Sequence, residues 1–344
     1  METGPVFVAG LERSGTSLLY ALLASHPNLA MTRRTNLWTH FYGQYGDLSD
    51  PQNLDRCIDV MMRYKRLVKL QPDEVRLRRD FEHGPPTYGR LFELLEQQYA
   101  ERHGRARWGD KSLHTERYAD PIFAAYPGAR ILHMIRDPRD RYASSQTRWQ
   151  VRRGGAGAGT AEWLSSVRLA ERNVRRYPDR YRIVRYETLA AHPERTMQEI
   201  CAFIGEQYTP GILTMEGAQD FRDRGSNSSY GTRTAGVIST DSIGRYRTVL
   251  SRRQIAFIQT VAGPALRRMG YHVDAPDLTR GDRLRFVLAD LPLELARLAA
   301  WRAHNGIRNR TGRPLPTYRF VARHGSQEPE GEGERQRAGG REAS

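Results

Sequence analysis

The segment Gly10–Ser17 (GLERSGTS) has the residue types and spacing of a loop that binds phosphate or sulfate. An apolar run at 6–10 predicts a buried strand before it, and apolar residues at helical spacing over 17–25 predict a helix after it. In such a unit the backbone N–H groups at the helix start point at the anion, and the helix dipole favours negative charge there. This loop is therefore the first candidate binding site.

The cation near this loop differs from the one in nucleoside triphosphatases. Those enzymes have a lysine before the last hydroxyl residue, whereas this chain has Thr16 there and Arg13 nearby. The second apolar strand ends in Arg136 instead of the aspartate that would organise Mg²⁺. We therefore expect an anion site without a metal ion. A P-loop kinase or another nucleotide-binding protein is the alternative, and ATP turnover requiring Mg²⁺ would favour it.

A second anion motif follows the predicted strand 131–135. Arg136 comes directly after this strand, and Ser144 lies eight residues later, two turns along a predicted helix over 139–149. A guanidinium and a hydroxyl in these positions can bind one phosphate. Arg148, four residues after Ser144, falls on the same helix face. The chain thus carries two separate candidate sites for phosphate-like groups.

Together the two motifs resemble those of sulfotransferases that use 3′-phosphoadenosine 5′-phosphosulfate (PAPS), especially the tyrosylprotein and bacterial branches. The loop sequence RSGTS, with His26-Pro27 shortly after it, is similar to the family's 5′-phosphosulfate loop, and 136–144 is similar to its 3′-phosphate motif. The resemblance implies PAPS as sulfuryl donor. It implies Arg13, Ser14, Gly15, Thr16 and Ser17 at the 5′-phosphosulfate, and Arg136, Ser144 and Arg148 at the 3′-phosphate.

The resemblance extends over most of residues 5–272. Tyr186 matches a tyrosine that lies near the donor in this family, and Arg245 stands where the family has a lysine that contacts the donor. Ser228 belongs to a segment that resembles the loop covering the donor. These three residues complete the donor site that the resemblance implies.

The acceptor side departs from the tyrosylprotein branch. That branch has an acidic pair shortly after His-Pro that supplies the general base, but residues 31–36 (MTRRTN) contain no carboxylate. The segment 108–114 (WGDKSLH) resembles one in bacterial sulfotransferases and supplies two candidates. We predict that Lys111 stabilises charge on the departing phosphosulfate and that His114 takes the acceptor's proton. The rival bases are Asp110 and Glu116. The acceptor is a hydroxyl or amine on a sugar, lipid, peptide or small molecule.

Strands that alternate with helices predict the fold class. After 6–10 and 131–135, a third strand is expected at 181–185 and a helix at 193–204. This order predicts a single α/β, P-loop-like domain, with a central parallel sheet flanked by helices and PAPS at the carboxyl ends of the strands. We expect a sulfotransferase domain at 1–275, a C-terminal helical extension at 276–325 and a disordered tail at 326–344.

Two other segments have no assigned role. The glycine-rich stretch 153–160 is predicted to be a mobile loop. Residues 282–302 are predicted to form an amphipathic helix that either packs on the domain or binds a partner.

Charge and composition restrict the partners. The 344 residues carry a formal net charge of +15, which favours an anionic partner. We expect no nucleic-acid partner, because no DNA- or RNA-binding module is recognisable.

The compartment is predicted from three features of the sequence. It contains no apolar run of about 18 residues, so we expect no membrane span, and its N-terminus has no secretion signal. Because the two distant cysteines, Cys57 and Cys201, favour a reducing compartment, we expect a cytoplasmic enzyme. Its oligomeric state stays open.

Overall fold

The computed structural model describes residues 3–148, 154–227, 234–275, 277–311 and 320–321. The strands are β1 (Val6–Gly10), β2 (Leu29–Arg33), β3 (Arg107–Lys111), β4 (Arg130–Ile135) and β5 (Tyr181–Arg185). Within the described residues they form one parallel five-stranded sheet in the order β2-β3-β1-β4-β5. Helices flank this sheet, which confirms the predicted α/β, P-loop-like class.

The helices follow the strands as a parallel sheet requires. They are α1 (Thr16–Ala24), α2 (Pro51–Met61), α3 (Lys65–Val68), α4 (Glu74–Glu82), α5 (Tyr88–Arg102), α6 (Ala119–Ala125), α7 (Pro138–Arg148), α8 (Gly155–Arg176), α9 (Tyr186–Ala191), α10 (Pro193–Ile204), α11 (Gln219–Arg222), α12 (Tyr246–Val249), α13 (Arg252–Arg268), α14 (Arg280–Arg285) and α15 (Leu291–Thr311). Short 3₁₀ helices span Thr115–Tyr118, Pro210–Thr214 and Glu216–Ala218, and π-helical turns span Leu37–Phe41 and Phe286–Asp290.

The sheet has a hydrophobic core on each face. One face carries Phe7 and Trp108 and is covered by α2 to α6, and the other carries Val8 and Met31 and is covered by α1, α9 and α10. All of β1 is buried, because β3 and β4 pair with its two edges while helices cover both faces. The predicted central strand is therefore confirmed, and it positions the loop that follows it.

The sequence pattern does not reveal β2 and β3. Both end in polar residues, including Thr32 in β2 and Asp110 and Lys111 in β3, and this breaks the apolar run typical of a buried strand. β3 lies between β2 and β1, so its carboxyl end lies beside the loop after β1. The insertion of this strand brings Lys111 to the predicted site.

The glycine-rich segment is not the predicted loop over most of its length, because α8 begins at Gly155. Glycine serves helix packing here: a Cβ at Gly157 would lie 2.0 Å from the carbonyl oxygen of Glu294 on α15. The predicted amphipathic helix is confirmed as α14, a π-helical turn and α15. The predicted disordered tail, 326–344, lies outside the described residues.

The two cysteines do not pair with each other, and the described helices are too short or too polar to span a membrane. Cys57 and Cys201 are both buried and unpaired, and they belong to the cores on opposite faces of the sheet. In the part of the chain that the structure describes, no helix is long and apolar enough to cross a bilayer.

Candidate functional site

The predicted anion loop connects β1 to α1. β1 ends at Gly10, α1 begins at Thr16, and Gly15 has a φ of 90°. A Cβ at Gly15 would lie 2.3 Å from Cδ2 of Tyr186. Glycine is required at this position for both reasons, because L-residues rarely adopt this φ and because the Tyr186 ring packs directly against the loop.

The start of α1 is suited to an anion. Among the described residues no side chain caps this helix. The first N–H groups of an α-helix have no partner within the helix, so those of Thr16 and Ser17 are available to a bound anion. The side chains of Ser14 and Thr16 are buried, whereas those of Arg13 and Ser17 are half-buried. The loop can therefore bind phosphate or sulfate through its main chain and through Arg13.

Arg136 of the second predicted motif lies beside this loop, directly after β4. Its guanidinium donates to the carbonyl oxygens of Arg13 at 3.2 Å and Ser242 at 2.7 Å. The guanidinium carbon lies 4.5 Å from the centroid of the Tyr186 ring. The Nε of Arg136 is buried and has no hydrogen-bond partner among the described residues. Because buried N–H groups are rarely left unpaired, this atom fits an anionic ligand.

Arg13 and Ser144 join the two motifs. Nε of Arg13 donates to Oγ of Ser144 at 2.9 Å, although the two residues are 131 positions apart. Ser144 lies on α7 and is buried. Arg148 ends the same helix, but its side chain lies outside the described residues. The two motifs thus form one continuous basic region.

The segment 239–246 packs against α7. The carboxylate of Asp140 on α7 accepts the N–H groups of Gly244 at 2.7 Å and Tyr246 at 2.8 Å. Burial raises the pKa of Asp140, and the neighbouring Asp137 raises it further. These two hydrogen bonds hold Arg245 next to α7, as its predicted contact with the donor requires.

Tyr186 connects this segment to the loop. Its hydroxyl lies 2.7 Å from Oγ of Ser242 and accepts a hydrogen bond from Nδ2 of Asn227 at 2.9 Å. Asn227 was not predicted as a site residue, although the neighbouring Ser228 was. Ser228 itself lies outside the described residues. The structure places Asn227 next to the predicted donor-binding tyrosine.

Two buried charged side chains hold the loop itself. Nε of Arg141 donates to the carbonyl oxygen of Glu12 at 3.0 Å, and the same guanidinium pairs with Glu162 on α8. Oε2 of Glu116 accepts the N–H of Gly10 at 3.2 Å. Arg141 was missed because the run RDPRDR contains several arginines, and sequence cannot separate those that face a ligand from those that hold the main chain.

Lys111 ends β3 and points to the α1 side of the sheet, since side chains alternate along a strand. It is buried, and no described residue forms a hydrogen bond or an ion pair with its ammonium group. Burial, together with the charges of Arg34 and Arg33, lowers the pKa of Lys111 to about 7. Lys111 is thus only partly protonated near neutral pH, and an anion bound beside it would favour its charged form.

His114 lies between β3 and the next 3₁₀ helix, with a φ of 65°. Its side chain is 26% exposed, and Nδ1 lies 3.9 Å from Oε1 of Glu116. Nδ1 has no hydrogen-bond partner among the described residues. Burial lowers the pKa of His114, although the Glu116 carboxylate acts in the opposite direction. A neutral imidazole with a free ring nitrogen can accept a proton.

Comparison with known proteins identifies the family. The family model described as the sulfotransferase family matches residues 5–210, which is more than half of the chain. This chain belongs to the sulfotransferase family. The sulfotransferase domain of the Synechococcus PCC 7002 olefin synthase has the same fold, with a TM-score of 0.53 at 20% identity, over 79% of this chain and 98% of that one. The sulfotransferase domain of the curacin biosynthetic pathway also has this fold, with a TM-score of 0.51 at 16% identity, over 79% of this chain and 99% of that one.

Two curated relatives belong to different acceptor classes. Carbohydrate sulfotransferase 5 of Mus musculus is 30% identical over 179 residues, 44% of this chain and 44% of that protein. The protein-tyrosine sulfotransferase of Drosophila melanogaster is 23% identical over 226 residues, 61% of this chain and 40% of that protein. The chain thus spans less than half the length of these relatives.

This sulfotransferase-family chain has a buried pair of carboxyl groups, Glu96 on α5 and Asp110 on β3. Oγ1 of Thr32 lies 3.0 Å from Oε1 of Glu96, 3.1 Å from Oδ1 of Asp110 and 3.1 Å from the carbonyl oxygen of Gly109. One hydroxyl proton cannot satisfy three acceptors, so a carboxyl proton fits this cluster. Burial raises the pKa of Glu96 well above its ordinary range, and the Asp110 charge raises it further. Sequence reasoning missed Glu96, because nothing in the sequence separates it from the other two glutamates of the same helix.

The two rival bases, Asp110 and Glu116, already have hydrogen-bond partners. Asp110 is buried among hydroxyl groups, and its pKa is raised by burial. Burial alone would raise the pKa of Glu116, but His133 and His114 lower it overall. Oε1 of Glu116 also accepts a hydrogen bond from Ser166 at 3.2 Å. Both carboxylates therefore stabilise the surroundings of the site.

Proposed function

We propose that this chain is a sulfotransferase that transfers the sulfuryl group of PAPS to a hydroxyl or amine acceptor. The observation that carries the proposal is the contact between the two anion motifs, Arg13 with Ser144 and Arg136 with the Arg13 carbonyl. A donor with two separated phosphate-type groups needs two adjacent basic sites in one fold. AMP or ATP has no 3′-phosphate and would leave one of them unused.

We propose one set of donor contacts, which includes the predicted residues of both motifs. The 5′-phosphosulfate interacts with the loop and α1, through Arg13, Ser14, Gly15, Thr16 and Ser17. The 3′-phosphate interacts with Arg136, Ser144 and Arg148. Tyr186, Ser228 and Arg245 complete the proposed set of donor contacts. Permanent guanidinium charges dominate this set, as suits a polyanion that is bound through charge-assisted hydrogen bonds.

The transfer step is an in-line substitution at sulfur. The acceptor oxygen or nitrogen forms a bond to sulfur while the bond from sulfur to the bridging phosphate oxygen breaks, and 3′,5′-adenosine bisphosphate leaves. Lys111 neutralises the charge that develops on that oxygen, and His114 takes the acceptor's proton. By analogy with phosphoryl transfer, positioning and electrostatic stabilisation supply most of the catalysis.

We propose that no metal ion takes part, because arginine and lysine supply the positive charge. The described part of the chain has no group of three or more His, Cys, Asp or Glu side chains arranged to hold a metal. Activity should survive EDTA. Loss of turnover on chelation, with recovery on adding Mg²⁺, would favour the P-loop kinase instead.

The acceptor class rests on the relatives, which are named for carbohydrate and protein-tyrosine acceptors. We propose a hydroxyl acceptor on a sugar or a phenol, with an amine, a lipid or a small molecule as further candidates. No acidic pair follows His26-Pro27, so the base differs from that of the tyrosylprotein branch. Mass spectrometry on panels of sugars and tyrosine peptides, with PAPS present, separates these classes by the added sulfuryl mass.

Donor identity has a direct test in calorimetry. The wild-type protein should bind 3′,5′-adenosine bisphosphate far more tightly than AMP, because only the bisphosphate engages Arg136 and Ser144. Equal affinity for the two nucleotides would reject PAPS as the donor. Tighter binding of ATP with Mg²⁺ would support the kinase alternative.

We also propose that the enzyme works in the cytoplasm, where its two buried thiols stay reduced. Residues 1–275 would be the sulfotransferase domain and 276–325 a helical extension. The 326–344 tail would be dispensable for the fold, because it contains no large apolar side chain. Cell fractionation of the tagged protein tests the cytoplasmic location. Truncation before residue 326 tests the role of the tail, and the melting temperature should stay unchanged.

A further inference from the structure

The C-terminal helical segment exposes an apolar surface that the fold does not use. Every exposed residue between 286 and 300 is apolar, and the large ones are Val287, Leu288, Leu293 and Leu295. Leu284 extends this surface toward the start of α14 and is 62% exposed, while Leu288 is 69% exposed. We call the surface formed by these five side chains the apolar face. Several large apolar side chains exposed within one short helical segment indicate an interaction site.

The opposite side of the same segment is fixed to the domain. Phe286 and Leu298 are buried in a core shared with α7, α8 and α13. The carboxylate of Glu294 accepts the N–H of Gly157 at 2.6 Å and pairs with Arg297. The close approach at Gly157 sets the distance between α8 and α15. The apolar face is therefore held outward by packing on its other side.

Arginines border the apolar face at both ends. Arg280, Arg283 and Arg285 are exposed at its start, and Arg302 is exposed at its end. No acidic side chain of the described residues lies within ion-pair distance of these four. The acidic residues of the segment pair with other arginines: Asp282 and Asp290 with Arg253, and Glu294 with Arg297. The border of the apolar face is thus basic.

We infer that the apolar face binds an anionic lipid surface, with the α14–α15 segment lying in the plane of the membrane interface. A helix with apolar side chains on one side and arginines around them inserts the former among lipid chains and pairs the latter with headgroups. From residue 280 to 311 such a helix is about 48 Å long. The net charge of +15 on the whole chain attracts it to the same surface.

Charge and composition disfavour two other occupants. In an antiparallel pair of two copies, Arg280 to Arg285 of one chain would approach Arg302 of the other, and like charges would oppose the contact. The chain's own residues 322–344 contain alanine but no large apolar side chain with which to cover the apolar face. An anionic bilayer satisfies both the apolar surface and its basic border.

Co-sedimentation of the full-length protein with vesicles tests this inference. Wild-type protein should bind vesicles of phosphatidylglycerol and phosphatidylcholine at least about tenfold more tightly than vesicles of phosphatidylcholine alone. The double variant Leu284→Glu/Leu288→Glu should lose about tenfold or more of that binding. The matched control is Val75→Glu, which changes a 79% exposed valine on α4 and should bind as wild type does.

The outcomes decide between the occupants. Equal binding to both vesicle types, no binding to either, or unchanged binding of the double variant would overturn the inference. Dimers in ultracentrifugation that the double variant abolishes, without vesicle binding, would assign the apolar face to a second copy. Melting temperature and affinity for 3′,5′-adenosine bisphosphate should be unchanged in the variants. This readout separates the failure of this inference from failure of the proposed sulfotransferase reaction.

Discussion

The donor side and the acceptor side of the candidate site are built differently. On the donor side, side chains far apart in sequence bond to one another, as Arg13 does to Ser144 and Tyr186 does to Ser242. On the acceptor side, Nδ1 of His114 and Oε2 of Glu96 are buried and have no hydrogen-bond partner among the described residues. Most donor-side side chains are therefore arranged in advance, with Nε of Arg136 left unpaired for an anion, whereas the acceptor side leaves a ring nitrogen and a carboxyl oxygen unpaired.

The two sides also differ in the kind of charge they hold. Guanidinium groups keep their charge at any physiological pH, and they dominate the donor side. The acceptor side has Lys111 with a pKa of about 7, His114 with a lowered pKa and Glu96 with a raised one. Permanent charge suits the binding of a polyanion, and titratable groups suit proton transfer.

The largest effect is expected at His114. Because its φ is positive, asparagine is a better replacement than alanine, since it tolerates this conformation and lacks the basic nitrogen. His114→Asn should lower kcat by about 10²- to 10⁴-fold and leave the affinity for 3′,5′-adenosine bisphosphate unchanged. The wild-type rate should rise with pH through the His114 pKa, below the ordinary value of about 6.5, and the variant should lack that rise.

Asp110→Asn and Glu116→Gln are the comparisons for this experiment. Each keeps the shape of the side chain and removes its charge. Turnover near the wild-type level in His114→Asn, together with a large loss in one of these variants, would transfer the base role to that carboxylate. A fall in melting temperature without a selective loss of kcat would instead indicate a positioning role.

On the donor side, Arg136→Ala should weaken binding of 3′,5′-adenosine bisphosphate by about 10- to 150-fold, the loss of one charge-assisted hydrogen bond. AMP binding should barely change. Arg182→Ala is the charge control, because Arg182 lies on β5 in a surface pair with Glu199. If both variants weaken binding equally, overall charge matters more than the Arg136 contact, and the proposed 3′-phosphate site is wrong.

Lys111 should take up a proton when the donor product binds. With a pKa of about 7 the free lysine is mostly neutral at pH 8, and a nearby phosphate raises that pKa, so binding should take up about 0.9 of a proton. Affinity should fall by about fivefold between pH 7 and pH 8. Calorimetry in buffers of different ionisation enthalpy measures the uptake. Lys111→Met should abolish it, and equal uptake in that variant would place Lys111 away from the phosphate.

The smallest effect concerns Glu96 and stability. Its raised pKa means that the folded chain keeps a proton that the unfolded chain loses above its ordinary pKa near 4.5. Stability from this group is therefore complete below that pH and declines as pH rises toward the folded pKa. Glu96→Gln should gain in melting temperature relative to wild type between pH 5 and pH 8, by about 1–2 °C for each kcal/mol of folding free energy that the wild type loses.

Glu101→Gln on the same helix is the control for this measurement, because hydrogen bonding to Arg76 lowers the pKa of Glu101. It should show no gain with rising pH. A Glu96→Gln difference that stays constant with pH would mean that Glu96 is ionised in the folded protein.

Much of the donor side could be read from contiguous residues. Gly10–Ser17 forms one strand–loop–helix unit, so its glycines, hydroxyls and arginine indicate their role through spacing alone. Arg136 and Ser144 are also close in sequence, on either side of a strand–helix turn. The predicted helix over 193–204 matches α10, which has a proline in its first turn and ends before Gly205. Local interactions determine such units, and the sequence displays them directly.

The arrangement of the acceptor side could not be predicted from the sequence, because it depends on the order of the strands in the sheet. The insertion of β3 beside β1 brings Lys111 to the loop and sets Asp110 against Thr32 and Glu96. Neither strand end has a local pattern that predicts this, because the partners lie on β2 and α5. Desolvation, which shifts the pKa values of these groups, comes from all the elements packed around them. No stretch of sequence contains that information.

By itself, the sequence determined the family, the donor loop and the absence of the tyrosylprotein carboxylate, because each depends on the identity of neighbouring residues. Only the tertiary structure decided that Arg13 meets Ser144, that the Lys111 pKa falls to about 7, and which side of the α14–α15 segment faces outward. An amphipathic pattern shows that a helix has an apolar side. For this helix, the close contact at Gly157 determined which residues stayed exposed. The physical reason is that burial is a property of the packed chain and of no single segment.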